Sequence, residues 1–327
     1  MSLIELLVAM TLGLLIIAGI GQIYLAAKRS YDIQTSIAQI QEVGRFVTEV
    51  LTQDIRRAGY WGLFTLNTAG LDTVLTGQVF PTGDQSPDGT CPSGNDYWGR
   101  MITRKVFGLN DTATGYACLG SNYKLGDIIT LRYANPLPVT SYDPNALYIH
   151  TAPLEASLVF GDPASCPPAS GCALIDYVDN DMNYPGYGYY DYAVVAHAYY
   201  LTDSTTATQC GDVAAPALPA LARETLSSGA SSPGFPVKTE LVTGVEQLQF
   251  QYGVDTDADG SVNQYVIASP TVNWDQVRAV RFWVLVRSDC PEGGYTDTST
   301  YRMANVTYTP NDNFRRALYT ATVALRS

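Results

Sequence analysis

The opening stretch constrains this chain more than any other feature: across positions 3–27, Glu5 is the only charged side chain. Some 25 such residues make a helix ~37 Å long, enough to cross a bilayer. A carboxylate inside an apolar helix costs at least a few kcal/mol unless it finds a partner, so its default reading is functional. The nearest available cation is an α-amino group. The alternative is that Glu5 snorkels to the headgroup layer near the helix end. A cleaved secretory signal is disfavoured, because neither a basic n-region nor a small-residue cleavage site frames the run. Just beyond it, Lys28 and Arg29 read as an interface anchor.

The helical period continues with a different face. Ile33, Ile37, Ile40, Val43, Val47, Val50, Leu51 and Ile55 recur at three- and four-residue steps, with Gln34, Gln41, Glu42, Arg45, Glu49 and Asp54 between them. The expectation is one helix of roughly fifty-five residues, free at its start, packed on a head at its end and stopping near Gly59. Gly13, Gly19, Gly21 and Gly44 lower its intrinsic stability by up to ~1 kcal/mol each.

These residues resemble a known family. Ser2-Leu3-Ile4-Glu5-Leu6-Leu7-Val8-Ala9 is similar to the mature amino terminus of type IV pilins and of type II secretion pseudopilins. Gly59-Tyr60-Trp61-Gly62, Tyr199-Tyr200-Leu201, Leu221-Ala222-Arg223-Glu224 and the stretches 245–255 and 277–288 are similar to PilW-type minor pilins. The resemblance implies an α+β, type IV pilin-like fold: a long N-terminal helix packed on an antiparallel β-sheet head with long disulfide-stapled loops. It divides the chain into a membrane and filament-core helix (1–27), an amphipathic half packed on the head (28–58) and an extracytoplasmic β-rich head (59–327). It implies a structural subunit of a type IV pilus that helps initiate assembly or forms part of the tip; the alternatives are the major subunit of a homopolymeric filament and a type II secretion pseudopilin. Implied partners are other pilin subunits, the inner membrane before assembly, a tip adhesin, and a prepilin peptidase acting on the precursor. The implied destination is the extracellular pilus. Glu5 is implied to pair with the first-residue amine of a neighbouring subunit, that amine being N-methylated in the family. Met1 stands where Phe is usual, which leaves either a natural mature Met or an initiator Met over a truncated start. Gly19 to Gly21 is a candidate site for the local melting pilin helices undergo in filaments; close helix packing is the alternative role for these glycines.

Beyond the helix the pattern turns to β. Residues 128–133, 193–201, 248–252, 279–286 and 317–323 read as strands rich in β-branched and aromatic residues. The segments 67–122 and 135–192 are dense in Gly, Pro, Asn, Ser and Asp, so loop insertions or short irregular strands are expected there. Six cysteines can pair completely, as suits an oxidising compartment. They permit fifteen connectivities. Cys166 and Cys172 bracket the shortest loop; Cys91 with Cys118 would then pin the first insertion, and Cys210 with Cys290 would tie two β-segments across the head.

With 19 Lys and Arg against 31 acids, the net charge of −12 argues against binding a phosphate backbone, and nucleic acid is not an expected partner. Enzyme motifs are missing too: there is no P-loop, Gly-x-Ser-x-Gly or His-Glu-x-x-His, and of two histidines His197 lies in an apolar strand pattern, where a core role is expected. No catalytic residues are assigned, and the expected function is not enzymatic. The tyrosine-rich run 184–192 could stack on glycans or a partner protein; the alternative is a turn-rich loop whose rings cover the sheet.

One further motif carries chemistry. Asp255-Thr256-Asp257-Ala258-Asp259-Gly260-Ser261-Val262-Asn263 matches the first half of an EF-hand-type loop, with oxygens at places one, three and five and Gly at six. Place twelve is Val266 in place of the bidentate Glu, and a strand pattern precedes the motif. The expectation is a Ca²⁺-binding hairpin turn using Asp255, Asp257, Asp259, the backbone carbonyl of Ser261, and Asn263. The alternative is an acidic hairpin tip in which Asp-Gly does turn work only.

Overall fold

A computed structural model of the chain describes residues 2–62, 105–114, 122–143, 146–151, 156–160, 190–206, 209–210, 213–214, 217–226 and 236–325. Met1, Cys91, Cys118, Cys166, Cys172 and residues 184–189 of the tyrosine run lie outside them.

Helix α1 runs unbroken over Leu3–Arg57, ~80 Å at 1.5 Å per residue, and passes through Gly13, Gly19 and Gly21 without interruption. Its start is fixed by a capping box: the Ser2 hydroxyl accepts the Ile4 N–H (3.3 Å) and the Glu5 carboxylate accepts the Ser2 N–H (2.8 Å). It ends where Gly59 takes φ +82°, a conformation natural to glycine, and donates its N–H to the Arg132 carbonyl (2.9 Å). Residues Tyr60 and Trp61 continue the clamp: Ala134 N–H donates to Tyr60 O, and Trp61 is 1% exposed. The Gly-Tyr-Trp-Gly tetrapeptide is therefore the weld between helix and head.

The head is built from antiparallel strands in two principal sheets. The larger comprises β1 (Val106–Leu109), β2 (Ile128–Ala134), β3 (Leu147–Thr151), β4 (Ala156–Phe160), β5 (Tyr190–Asp203), β8 (Pro219–Leu226) and β9 (Pro236–Thr243), with the two-residue strands β6 (Gln209–Cys210) and β7 (Val213–Ala214) forming a separate small hairpin. Its organiser is β5, which is long enough to pair with β3 through 190–193, with β2 through 194–199 and with β8 through 197–203. The second sheet has the order β11 (Gln264–Val266), β10 (Val245–Val254), β12 (Val277–Arg287), β15 (Arg316–Ala324). A small hairpin of β13 (Tyr301–Met303) and β14 (Val306–Tyr308) lies between β12 and β15 in sequence. The segments expected to hold loop insertions or short irregular strands contain short strands: β1 falls within 67–122, and β3 and β4 within 135–192.

One core joins the helix to both sheets. Ile40, Val43, Val47, Leu51 and Ile55 of α1 pack with Leu131, Tyr199, Leu201, Phe250, Val280, Phe282 and Val323. Each such side chain contributes about 1.5–3 kcal/mol on burial, so five in one stripe anchor the helix firmly. At Gly44 the fit leaves no room: a Cβ would meet the Tyr319 ring at 2.1 Å, and the Tyr319 hydroxyl donates to Ile40 O (3.2 Å). Asp54 departs from the sequence reading, which placed it among the polar positions between the apolar ones. It is 5% exposed and lies on the packed face, where Tyr133 (2.8 Å) and Tyr199 donate to it and His197 Nδ1 pairs with it (2.5 Å). Burial pushes the Asp54 carboxyl up, but His197, Tyr199 and Tyr133 outweigh it and hold the group below its ordinary value.

Asp127 is shifted the other way. It is 1% exposed and accepts N–H donors from Phe250 (2.7 Å) and Asp111 (2.9 Å), yet burial pushes its carboxyl up to about 7. A folded value above the unfolded 3.8 means that the native state binds the proton more tightly. Stability should therefore fall as pH rises from about 4 to about 7, by at most roughly 1.4 kcal/mol per unit. The depressed carboxyls Asp54, Asp297 and Asp312 lose their contribution only below their unfolded value of 3.8. Denaturant titrations from pH 4 to pH 8 should place the optimum in the acidic half of that window, with Asp127→Asn flattening the slope. A wild-type profile that rises toward neutrality would contradict this account.

Candidate functional site

Two places carry the sequence-predicted site residues. The first is the outer half of α1. Leu3, Ile4, Leu6, Leu7, Val8, Leu14, Leu15, Ile16, Ile17 and Ile23 are each more than half exposed, a bare apolar surface on a helix long enough to cross a membrane. A contiguous apolar surface of this size marks an interaction or membrane site. Lys28 and Arg29 follow it, before the packed face begins near Ile40. Glu5 is exposed in the first helical turn, where the helix dipole favours a negative charge. Sequence reading missed its local task, although Ser-x-x-Glu is the signature of a capping box. A carboxylate offers about four acceptor positions, so the Ser2 N–H leaves capacity for a second donor.

The second place is the turn joining β10 to β11. Ligand oxygens of Asp255, Asp257 and Asp259 lie within 4.8 Å of one another. Asp255 is 1% exposed, whereas Asp257 and Asp259 face solvent. The Asp255 Oδ2 accepts the Gly260 N–H (3.0 Å) and faces Arg278 Nε at 3.4 Å. Burial raises its carboxyl, but the backbone N–H groups of Gly260 and Ala258 together with Arg278 pull harder, leaving it below the ordinary value. Asn263 differs from expectation: its Oδ1 accepts the Thr256 N–H (2.6 Å) and its Nδ2 donates to Asp257 Oδ2 (3.1 Å), so the amide closes the turn. Ser261 donates its N–H to Asp259 Oδ1 (2.7 Å).

The cysteine pair Cys210–Cys290 is disulfide-bonded, joining β6 to the segment after β12 over a separation of 80 residues; a loop of that order contributes ~2–4 kcal/mol through the unfolded state. The adjacent basic residues Arg315 and Arg316 take different places in the fold. Arg315 is partly exposed and pairs with Glu292, whereas the Arg316 side chain is wholly buried. Arg316 bonds Glu246 (2.5 and 2.9 Å) and Asp312 (2.6 and 2.7 Å), with Asp297 at 3.4 Å. Burial opposes its charge, but Glu246 and Asp312 win and raise its affinity for the proton. His197 is committed to Asp54, as described above, and so has a packing role in the core.

Comparison with known families bears on this second half of the chain. Residues 198–327 match the model of the family described as type IV pilus-assembly protein W, PilW. The carboxy-terminal part of the head is therefore similar to PilW-type proteins. No curated protein and no solved structure matches it. The match takes in the last part of β5, from residue 198, and everything from β6 to β15, including the Arg316 cluster, the acidic turn and the Cys210–Cys290 bridge. Helix α1 lies outside the matched residues. The similarity relates residues 198–327 to a family of type IV pilus assembly proteins.

Proposed function

We propose that this chain is a pilin-like minor subunit of a type IV pilus, held in the inner membrane by the outer half of α1 and then withdrawn into the filament core, where it helps initiate assembly or forms part of the tip. The observation that carries the reading is the division of one continuous helix into a bare apolar half and a half buried against a PilW-type head. A helix anchored by Ile40, Val43, Val47, Leu51 and Ile55 leaves its first turns unable to fold back on the chain's own head. The apolar surface then needs lipid, or helices of other subunits. In a filament the same surface packs against neighbouring pilin helices, and Glu5 meets the terminal amine of the next subunit, an attraction strengthened by low dielectric. The family's N-terminal processing by a prepilin peptidase and its N-methylation, together with a tip adhesin as partner, belong to this proposal.

Immunogold labelling of purified pili with antibodies to the head tests it. Label confined to one end is the expected result. Label along the whole shaft would make the chain the major subunit, and complete absence from filaments would favour a secretion pseudopilin.

A further inference from the structure

We propose that the turn between β10 and β11 is a calcium site whose protein ligands are the carboxylates of Asp255, Asp257 and Asp259. Oxygens that each lie 2.3–2.6 Å from one Ca²⁺ can be no more than about 4.6–5.2 Å apart. The three carboxylates meet that requirement, with ligand oxygens within 4.8 Å of one another.

The second observation is independent of the clustering. Asp255 is almost wholly removed from solvent, and while its Oδ2 has donors, its Oδ1 is buried without a hydrogen-bond partner. A buried polar oxygen left without a donor is rare in native proteins, and an ion is among the few things that account for it. Charge points the same way. Arg278 pairs with Asp255, and one dication would neutralise the charges that Asp257 and Asp259 add to the cluster. The donor set selects the metal class: carboxylate oxygens without imidazole or thiolate suit a hard cation such as Ca²⁺ and not a borderline metal such as Zn²⁺.

The fold prepares the turn for this. The Gly260 N–H braces Asp255, the Ser261 N–H braces Asp259 and the Asn263 amide braces both Thr256 and Asp257, so the carboxylates are held near one another before any ion arrives. Asn263 acts here as a brace and not as a ligand. The Ser261 carbonyl takes the next coordination position, and water completes the shell. With few protein ligands and no bidentate Glu, affinity falls in the ~10⁻⁴–10⁻³ M range of extracellular modules. The ion would clamp the tip of the sheet on which α1 is packed.

The full-length protein in detergent, stripped of metal by chelator, provides the test. At 10 mM Ca²⁺, with ionic strength matched, the melting temperature should rise by about 2–6 °C over the chelated sample. Tb³⁺ should bind with luminescence that Ca²⁺ competes away. Asp257→Asn and Asp259→Asn, both exposed and isosteric, should each remove most of the thermal shift and of the Tb³⁺ signal while leaving the chelated protein's melting temperature close to wild type. Identical melting curves with Ca²⁺ and chelator would overturn the site. So would a shift that survives in both variants, or an equal shift with Mg²⁺, since either would reduce the effect to general charge screening.

Discussion

Glu5→Leu is expected to insert into the membrane at wild-type levels and to enter pili at least tenfold less well. The expectation rests on the subunit role proposed above and on the chemistry of one carboxylate in a bare apolar helix. Two unit charges 4 Å apart attract by about 4 kcal/mol at an effective dielectric near 20, and desolvation takes back part of that. A net residue of only ~1.4 kcal/mol per contact is tenfold in an equilibrium constant. The capping box supplies a sharp control. Glu5→Gln keeps an acceptor for the Ser2 N–H and so preserves the cap, but it has no charge. If charge pairing between subunits matters, Gln fails as Leu does; if the carboxylate only caps its own helix, Gln assembles as wild type. Cell fractionation and quantified pilus preparations separate insertion from incorporation. Normal incorporation of Glu5→Leu would remove the assembly role.

Arg316→Ala is expected to destabilise the head by ~3–5 kcal/mol. The guanidinium is fully buried among Glu246, Asp297 and Asp312, which arrive from β10 and from the excursion between β12 and β15. Removing it leaves three carboxylates, of which Glu246 keeps Arg287 at 3.9 Å. Arg315→Ala, at a partly exposed pair with Glu292, should cost under ~1 kcal/mol. Denaturant unfolding of both variants should show the midpoint falling sharply for position 316 and little for 315, with unchanged slope. Equal midpoints would mean that the buried cluster is replaceable.

How much of this was legible in sequence depended on whether local pattern or distant partners decided the outcome. The long helix and five core strands were readable because apolar periodicity alone specifies them, and the observed elements Ile128–Ala134, Tyr190–Asp203, Val245–Val254, Val277–Arg287 and Arg316–Ala324 extend the expected ranges by a few residues at most. The strands β1, β3 and β4 were hidden in Gly- and Pro-rich surroundings, since their pairing is decided by β2 and β5 from outside the segment. Buried charge was illegible for the same reason. Asp54 looks like a solvent-facing helix residue until His197 and Tyr199, more than 140 positions away, fold over it. Arg316 looks like half of a basic pair until Glu246, 70 positions upstream, is in place. The acidic turn is the opposite case. Its motif is contiguous, so the clustering of Asp255, Asp257 and Asp259 could be read directly, whereas the reassignment of Asn263 from ligand to brace needed the geometry.

The contact between Tyr319 and the Gly44 notch, spanning 279 positions, sets an order of events in biogenesis. Strand β15 is synthesised long after the helix it packs over, and it pairs with β12 in the sheet that α1 covers. Until β15 arrives, the stripe of Val43 and Val47 lacks part of its cover. Contacts of such separation form late and leave apolar surface open meanwhile. A nascent chain therefore waits, tethered by its first helix, with an unfinished head that chaperones and proteases can tell from a finished one. Interrupted synthesis leaves an apolar helix beside an unfinished head, and the rigid joint between helix and head exists only once β15 is in place.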